Sequence, residues 1–220
     1  MGKLVVMPHQ PLVSIDAIPL ILIDSQLHVV LGVRDFEPFA GRAALPGVLL
    51  NANERIIEAV QRALSSKIGV GADAIEASIE SGVFDDFERD VRGPTLSIAR
   101  AVILKRDTSL DDSRVCAVPL SNIPSLPFDH ASILKHAALR VLNSLWIDEP
   151  LTKALLGEKF DTAELIARIK ELSTASELPM PETANIGRGL RSNKRLTQVA
   201  PAALAVGRGR PPAVWTWVRD

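Results

Sequence analysis

The chain has 220 residues, of which 47% are hydrophobic and 23% are charged, and this composition is typical of a globular protein with one or two domains. The longest strongly apolar run, residues 17–23, is too short to span a bilayer, and residues 1–3 open no signal peptide. We therefore expect a cytoplasmic protein with no membrane partner. Cys116 is the only cysteine, which excludes an internal disulfide and indicates a buried structural thiol.

The first 148 residues alternate predicted strands with two amphipathic helices. Two strands, residues 13–24 and 27–34, are joined by a short turn, so we expect them to pair antiparallel. Apolar residues follow the 3.6-residue period of a helix over residues 54–68 and again over residues 129–146, where Asp129 is the expected N-cap. Further strands are predicted at residues 79–84, 95–105 and 113–120. This order is typical of an α/β/α sandwich.

The residues Glu149 and Pro150 interrupt the chain and mark a predicted domain boundary. Three helices are predicted after it, at residues 151–156, 161–172 and 182–199. Two short apolar strands, residues 201–206 and 213–218, follow around a Gly-Arg-Gly-Arg-Pro-Pro turn. The sequence therefore predicts an α/β fold with two domains, residues 1–148 as a sandwich and residues 149–220 as a winged helix-turn-helix.

The C-terminal part carries an excess of positive charge. Residues 149–220 contain 11 Lys and Arg against 8 Asp and Glu, whereas residues 1–148 contain 14 against 18. No acidic residue lies between residues 183 and 219, and the cations there are Arg188, Arg191, Lys194, Arg195, Arg208, Arg210 and Arg219. A stretch with charges of one sign favours a polyanionic partner such as double-stranded DNA.

Spacing gives these cations two predicted roles in DNA binding. On a helix Arg188, Arg191 and Arg195 share one face that fits a major groove, and Asn185 lies one turn earlier, where it is able to read adenine. Arg208 and Arg210 lie at the tip of the predicted wing, which would follow the DNA backbone or enter the minor groove. The alternatives are a solvated basic face and an ordinary flexible turn.

Residues 43–70, AALPGVLLNANERIIEAVQRALSSKIGV, resemble the Nudix box. The resemblance places Glu54 and Arg62 on two of its fixed positions and Gly69 near its end. The glutamates that hold Mg²⁺ or Mn²⁺ in Nudix enzymes are replaced by Ala63, Ser66 and Lys67. We expect no metal on this helix, and the Lys67 ammonium would instead attract phosphate. The alternative is that residues 54–68 form an amphipathic helix and nothing more.

Residues 34–47 are similar to the segment before the box in the ADP-ribose branch of the Nudix superfamily, although Ala43 stands where that branch usually has Trp. Arg34, Arg89 and Arg92 would donate to a pyrophosphate. The aromatic candidates for stacking on adenine are Phe36, Phe39, Phe84 and Phe87. Alternatively, Arg89 and Arg92 pair with the neighbouring carboxylates Asp85, Asp86, Glu88 and Asp90. We interpret His130 as a helix-start or core histidine and predict no catalytic residue.

A metal-deficient Nudix-like domain followed by a winged helix resembles the NrtR family, the Nudix-related transcriptional regulators of NAD metabolism. The resemblance runs from residue 13 to residue 218 through EPFAG at 37–41, RDVRG at 89–93, FDH at 128–130, NIGRGL at 185–190 and GRPPAVW at 209–215. It implies a homodimeric repressor that binds a palindromic operator and responds to ADP-ribose or a related nucleotide. It implies no enzyme activity and no cofactor beyond that effector.

Two alternative functions remain open from the sequence. A divergent Nudix pyrophosphatase would have to bind its metal through Glu54, Glu58 or acids outside the box, with the basic tail as an interaction module. A regulator of sugar use is the other alternative, because related Nudix-like regulators are expected to respond to sugars. The arginines at 34, 89 and 92 favour a nucleotide over a sugar.

Overall fold

The computed structural model describes residues 10–110, 113–199 and 213–218. The predicted strand at 201–206 and the predicted wing residues Arg208 and Arg210 lie outside these ranges. Within them, no helix is both long and apolar enough to cross a membrane.

The first seven strands form one mixed sheet. Its order is β3-β2-β1-β6-β5, with β4 also paired to β1 and β7 to β2. The strand bounds are β1 Leu12–Ile23, β2 Gln26–Val33, β3 Ala43–Ala44, β4 Gly47–Leu49, β5 Ile75–Phe84, β6 Thr95–Leu104 and β7 Val115–Pro119. Strand β1 is buried on both faces and pairs antiparallel with β2 and parallel with β6. The predicted antiparallel start of the sheet is confirmed.

Helices cover both faces of this sheet. Helix α1, Ile56–Ile68, buries Val60, Leu64 and Ile68 in an apolar cluster on one face, and it ends at Gly69, whose φ of 68° is the left-handed conformation that glycine favours. Helix α2, His130–Ser144, packs Ile133 and Val141 on the other face. The predicted α/β/α sandwich is confirmed.

Cys116 lies on β7 and is half-buried rather than fully buried as predicted. Its thiol is placed to donate a weak hydrogen bond to the Leu31 carbonyl oxygen, at 3.8 Å. Burial raises the pKa of this thiol. A half-buried thiol with a raised pKa is a poor nucleophile, which agrees with a structural role.

The C-terminal part has the helices and strands of a winged helix-turn-helix. Helices α3 Glu149–Leu156, α4 Thr162–Ala175 and α5 Thr183–Ser192 are accompanied by a sheet of order β8-β10-β9, formed by β8 Lys159–Asp161, β9 Leu196–Val199 and β10 Val214–Trp217. The Asp148 carboxylate caps α3, and the Asp161 carboxylate caps α4. The predicted boundary between residues 148 and 149 stays a prediction.

The predicted end of the third C-terminal helix is wrong. Helix α5 ends at Ser192, seven residues before the predicted end, because the Asn193 side-chain amide donates to the Trp146 carbonyl oxygen at 2.6 Å and its backbone is extended. Residues 196–199 form β9, which pairs with β10. The first wing strand therefore begins earlier than predicted, and Arg195 does not share a helix face with Arg188 and Arg191.

The two halves of the molecule pack directly on each other. Arg168 and Glu171 of α4 form an ion pair with 3.1 Å between Nε and Oε2, and both side chains are largely buried. Arg168 donates to the carbonyl oxygen of Ser25 in the β1–β2 turn, and the Leu27 amide donates to Glu171. Helix α4 is therefore fixed to the end of the first hairpin.

Candidate functional site

A cavity of about 410 Å³ opens where β1, β2, β4 and the start of α2 meet α1 and the loop of residues 85–94. The buried polar and charged residues that line it, which we call the floor, are Ser14, Asp16, Asp90, Thr95, His130 and the Arg89 side chain. The more exposed lining residues, which we call the rim, include Arg34, Phe36, Lys67, Arg92 and Phe128. Of the predicted ligand residues Arg34, Phe39, Lys67, Arg89 and Arg92, all except Phe39 line this cavity.

Arg89 lies on the floor, and its guanidinium is held by two carboxylates that are distant in sequence. Its side chain is 5% exposed, Nε lies 2.9 Å from each oxygen of Asp129, and one terminal nitrogen lies 3.1 Å from Oδ2 of Asp16. The other terminal nitrogen donates to the Ser14 hydroxyl at 3.1 Å. Burial acts to lower the pKa of Arg89, but the hydrogen bonds and charges of Asp129 and Asp16 outweigh burial and raise that pKa.

Asp129 was predicted as the N-cap of α2, and the structure corrects its role. It occupies the N-cap position, but its side chain makes no capping hydrogen bond. Both of its oxygens accept from Arg89 instead. The ion pair attaches the start of α2 to the floor.

Arg34 and Arg92 both lie close to one aromatic ring at the rim. Their guanidinium carbons are 4.8 Å and 5.8 Å from the centroid of the Phe128 ring. Arg34 donates to the Pro38 carbonyl oxygen at 2.8 Å. Burial, followed by repulsion from Arg92, lowers the pKa of Arg34. An anion placed between these two cations would relieve that repulsion.

Arg92 forms the ion pair that the alternative interpretation of the sequence predicted. Its Nε and one terminal nitrogen bind both oxygens of Asp90, at 2.9 Å and 2.6 Å. The Arg92 side chain is nonetheless 57% exposed, so the rest of the guanidinium faces the cavity mouth. The ligand roles of Arg89 and Arg92 stay predictions, and only Arg92 has donors left at the surface.

The aromatic residues predicted to stack on adenine are dispersed. Phe36 lines the rim, whereas Phe39 lies behind it and packs edge-on against Phe128, with ring centroids 4.9 Å apart. Phe84 packs against His136 and lies outside the cavity, as does Phe87. Phe128, which was not among the predicted stacking residues, also lines the cavity.

Two charged residues at fixed positions of the Nudix box, Glu54 and Arg62, form an ion pair at helix α1. Arg62 binds Glu54 through two hydrogen bonds of 2.7 Å, and it also donates to the Leu49 carbonyl oxygen at 2.7 Å. Ala63 is fully buried, while Ser66 and Lys67 are exposed and line the cavity. A methyl, a hydroxyl and an ammonium group do not fit a divalent cation, which needs several oxygen ligands.

No group of three or more His, Cys, Asp or Glu side chains in the described ranges is arranged to hold a metal ion. The two carboxylates of the alternative metal site are already engaged by the protein. Glu54 binds Arg62, and Glu58 accepts from the Arg55 amide at 2.9 Å, where it caps α1.

The Glu54–Arg62 pair should make stability depend on pH in a defined window. The hydrogen bond from Arg62 lowers the pKa of Glu54 to about 2, below the value of about 4.3 expected in an unfolded chain. The stabilisation is therefore present above about pH 4.3 and is lost as the pH falls through about 2. The difference in unfolding free energy between the wild type and Glu54→Gln should shrink between pH 5 and the lowest pH at which the protein folds. If this difference in unfolding free energy stays constant across the range, the Glu54–Arg62 pair does not stabilise the protein.

His130 is a core histidine, as interpreted from the sequence. It is almost fully buried, and its Nδ1 accepts a hydrogen bond from the Leu45 amide at 3.1 Å. Burial, the largest influence, lowers the pKa of His130, so the ring is neutral with its proton on Nε2. Its role in the cavity is to hold the segment that precedes β4.

The predicted DNA-binding residues in the described ranges lie on the C-terminal part. Asn185, Arg188 and Arg191 are exposed on α5, and Arg188 donates to the Asn185 side-chain oxygen at 3.0 Å. Ile186 and Leu190 bury the opposite face of this helix. Lys194 is exposed in the turn before β9. Arg195 binds Glu149 at 2.8 Å and lies 5.2 Å from the centroid of the Trp217 ring, so it is engaged within the domain.

Similar proteins are found both by sequence and by fold. No protein-family model matches the chain. An ADP-ribose pyrophosphatase of Methanocaldococcus jannaschii is 32% identical over 128 residues, which are 57% of this chain and 72% of that protein. NrtR of Shewanella oneidensis, crystallised with a 27mer DNA, matches with a TM-score of 0.67 and 21% identity, over 94% of this chain and 93% of that chain. The NUDIX domain of the same protein, crystallised with ADP ribose, matches with a TM-score of 0.53 and 24% identity, over 60% of this chain and 90% of that chain. The resemblance to NrtR is confirmed at the level of the fold.

Proposed function

This chain belongs to the Nudix family, that of the similar ADP-ribose pyrophosphatase, and from that premise we propose that it is a DNA-binding transcriptional regulator rather than a hydrolase. Its effector is ADP-ribose or a related nucleotide, bound in the cavity of the N-terminal domain. By its resemblance to NrtR it acts in the cytoplasm as a homodimeric repressor of NAD-metabolism genes and binds a palindromic operator.

The observation that carries the proposal is a cation, Lys67, at one of the positions that hold metal-binding groups in Nudix enzymes. Lys67 takes the position of a metal-binding glutamate, lines the cavity, and has no ion-pair partner among the described residues. With Arg34 and Arg92 at the same rim, it supplies positive charge where an enzyme of this family would place a metal ion. A pyrophosphate is then bound without being activated for cleavage.

DNA binding is supported by the basic surface of α5 and by the fold shared with a protein crystallised on DNA. Arg188 and Asn185 are on the exposed side of a helix whose other side is buried, which is how a recognition helix enters a major groove. Ile186 and Leu190 pack the opposite face of this helix into the apolar core. The exposed face of the helix is therefore accessible to DNA.

The alternative function is ADP-ribose hydrolysis, which the 32% identical pyrophosphatase favours. It would need a metal held by Glu54, Glu58 or other acids. Both carboxylates already serve the local structure of α1, and the positions that carry metal ligands in Nudix enzymes hold Ala63, Ser66 and Lys67. Losing even one metal ligand usually costs orders of magnitude in rate.

Calorimetry in the presence of EDTA tests the proposal. ADP-ribose should bind without a metal or cofactor, and with Mg²⁺ or Mn²⁺ it should remain intact. Lys67→Met should weaken binding by about 1.5–3 kcal/mol if the ammonium contacts phosphate, whereas Lys105→Met, an exposed lysine away from the cavity, should leave it unchanged. Metal-dependent turnover of about one per second, a typical enzymatic rate, would instead identify a hydrolase.

A further inference from the structure

One oxygen of a buried carboxylate on the cavity floor lacks a hydrogen-bond donor. Asp16 is 4% exposed, and all of its recorded hydrogen bonds fall on Oδ2, from Ser97 at 2.5 Å, Arg89 at 3.1 Å and Ser14 at 3.4 Å. Among the described residues, none donates to Oδ1. Oδ1 is not one of the fully buried side-chain atoms that lack a partner, so it is open to the cavity, where a donor from a ligand is able to reach it.

The position of Oδ1 connects it to the cavity. Asp16 on β1 lies opposite Gly47 on β4, and both residues line the cavity. A Cβ added to Gly47 would collide with Oδ1 of Asp16. Because Gly47 has no side chain, there is room for Oδ1 of Asp16 at the cavity wall.

The charges around Oδ1 indicate what kind of group it would accept from. Asp16 and Asp129 share a single cation, Arg89, so this trio carries one net negative charge. Such a surface repels phosphate and attracts hydrogen-bond donors. The hydroxyl groups of Ser14 and Thr95 line the same buried region. The floor therefore suits a polyhydroxylated group.

The rim suits the other parts of a nucleotide. Lys67 and Arg34 supply positive charge for phosphates, and the exposed ring of Phe36, together with Phe128, supplies apolar surface for a base. The ligand that satisfies both regions has its phosphates at the rim and a sugar at its inner end. A nucleoside diphosphate bound with its phosphates at the rim has no second sugar, so it offers Oδ1 of Asp16 no hydroxyl group at the inner end.

We propose that Oδ1 of Asp16 accepts a hydrogen bond from a hydroxyl group of the terminal ribose of ADP-ribose, and that this carboxylate thereby selects nucleoside diphosphate sugars over nucleoside diphosphates. The inference rests on the proposed function, because it takes the cavity to be the nucleotide site. It assigns to Asp16 a role that no motif in the sequence indicates.

Calorimetric titrations of three probes, ADP-ribose, ADP and ribose 5-phosphate, test the assignment. The wild type should bind ADP-ribose at least about tenfold more tightly than ADP, since a hydrogen bond to a charged acceptor contributes that much. In Asp16→Asn, the amide oxygen turns to Arg89 and the amide nitrogen to the cavity. Affinity for ADP-ribose and for ribose 5-phosphate should fall about tenfold, while that for ADP should stay unchanged.

Two further variants control the experiment. Glu171→Gln also neutralises a largely buried carboxylate, but this residue lies on α4 outside the cavity, so the ratio of ADP-ribose to ADP affinity should not change. Gly47→Ala keeps every charge and displaces Oδ1 of Asp16. The preference for ADP-ribose over ADP should therefore decrease, as in Asp16→Asn. This variant keeps the proposal testable if Asp16→Asn fails to fold, which circular dichroism detects.

Each other outcome overturns the assignment. If ADP loses as much affinity as ADP-ribose in Asp16→Asn, the carboxylate contacts the adenosine half instead. If both ligands bind and their affinity ratio is the same in all variants, the floor does not select the sugar, and the proposed function stands without it. If none of the probes binds the wild type, the proposed function fails and this inference fails with it.

Discussion

Replacing Arg89 by alanine should lower the free energy of unfolding by about 3–5 kcal/mol, the usual cost of removing one partner from a buried ion pair. Arg89 is the only positive charge in contact with both Asp16 and Asp129 among the described residues, and its side chain is 5% exposed. Without it, two carboxylates would remain close together in a largely buried region. Their mutual repulsion and lost hydrogen bonds account for the large effect.

Urea denaturation followed by circular dichroism measures this loss, with Arg92→Ala as the matched control. Arg92 is also paired with an aspartate and also lines the cavity, but its side chain is 57% exposed. Arg92→Ala leaves only one carboxylate without its cation, and Asp90 keeps the hydrogen bond from the backbone amide of residue 92, so the control should lose clearly less than Arg89→Ala. Equal small losses in the two variants would mean that Arg89 is as solvated as Arg92.

The affinity of the protein for an operator should fall by a factor of about 10³–10⁵ between 50 and 200 mM salt, if a dimer neutralises about 6–10 phosphates. The expectation follows from the run without acidic residues between residues 183 and 219 and from the exposed cations on α5. The preferred duplex should be an inverted repeat with half-sites about one helical turn apart. Gel shifts on palindromic and scrambled duplexes over a range of salt measure both properties.

Single substitutions on α5 should separate base reading from charge. Arg188→Ala and Arg191→Ala should each cost about 1–3 kcal/mol of operator binding if the arginine contacts a base, with relaxed specificity at one position. Lys105→Ala, which removes an exposed cation from the N-terminal domain, is the control and should leave operator affinity unchanged. Equal weak binding to palindromic and scrambled duplexes would indicate a solvated basic surface without a specific partner.

Sequence patterns predicted the elements that depend on local periodicity. The β1–β2 hairpin, α1 and α2 were predicted because each buries a repeating set of apolar residues on the sheet. The end of α5 was missed because Arg188, Arg191 and Arg195 have helical spacing. What ends this helix is tertiary: the Asn193 side chain bonds to Trp146, and the next residues pair with β10.

The floor of the cavity was also beyond local reasoning. Asp16 and Arg89 are 73 residues apart in sequence, and nothing near either residue indicates that they pair. Asp129 was assigned to a cap because a helix begins there, whereas Arg89 takes both of its oxygens. The rim was more accessible to prediction, since Lys67 and Arg34 lie within segments that resemble a known family.

The attachment of α4 to the β1–β2 turn couples the stability of the C-terminal part to that of the N-terminal sheet. One apolar cluster extends from Val29 and Ala101 in the large sheet to Leu165 and Trp215 in the smaller domain, so the two halves share part of their core. A ligand at a hundred times its dissociation constant stabilises the native state by about 2.7 kcal/mol. Through the shared core, occupancy of the cavity should protect α5 against unfolding of the whole chain, but not against local opening that leaves the cavity intact.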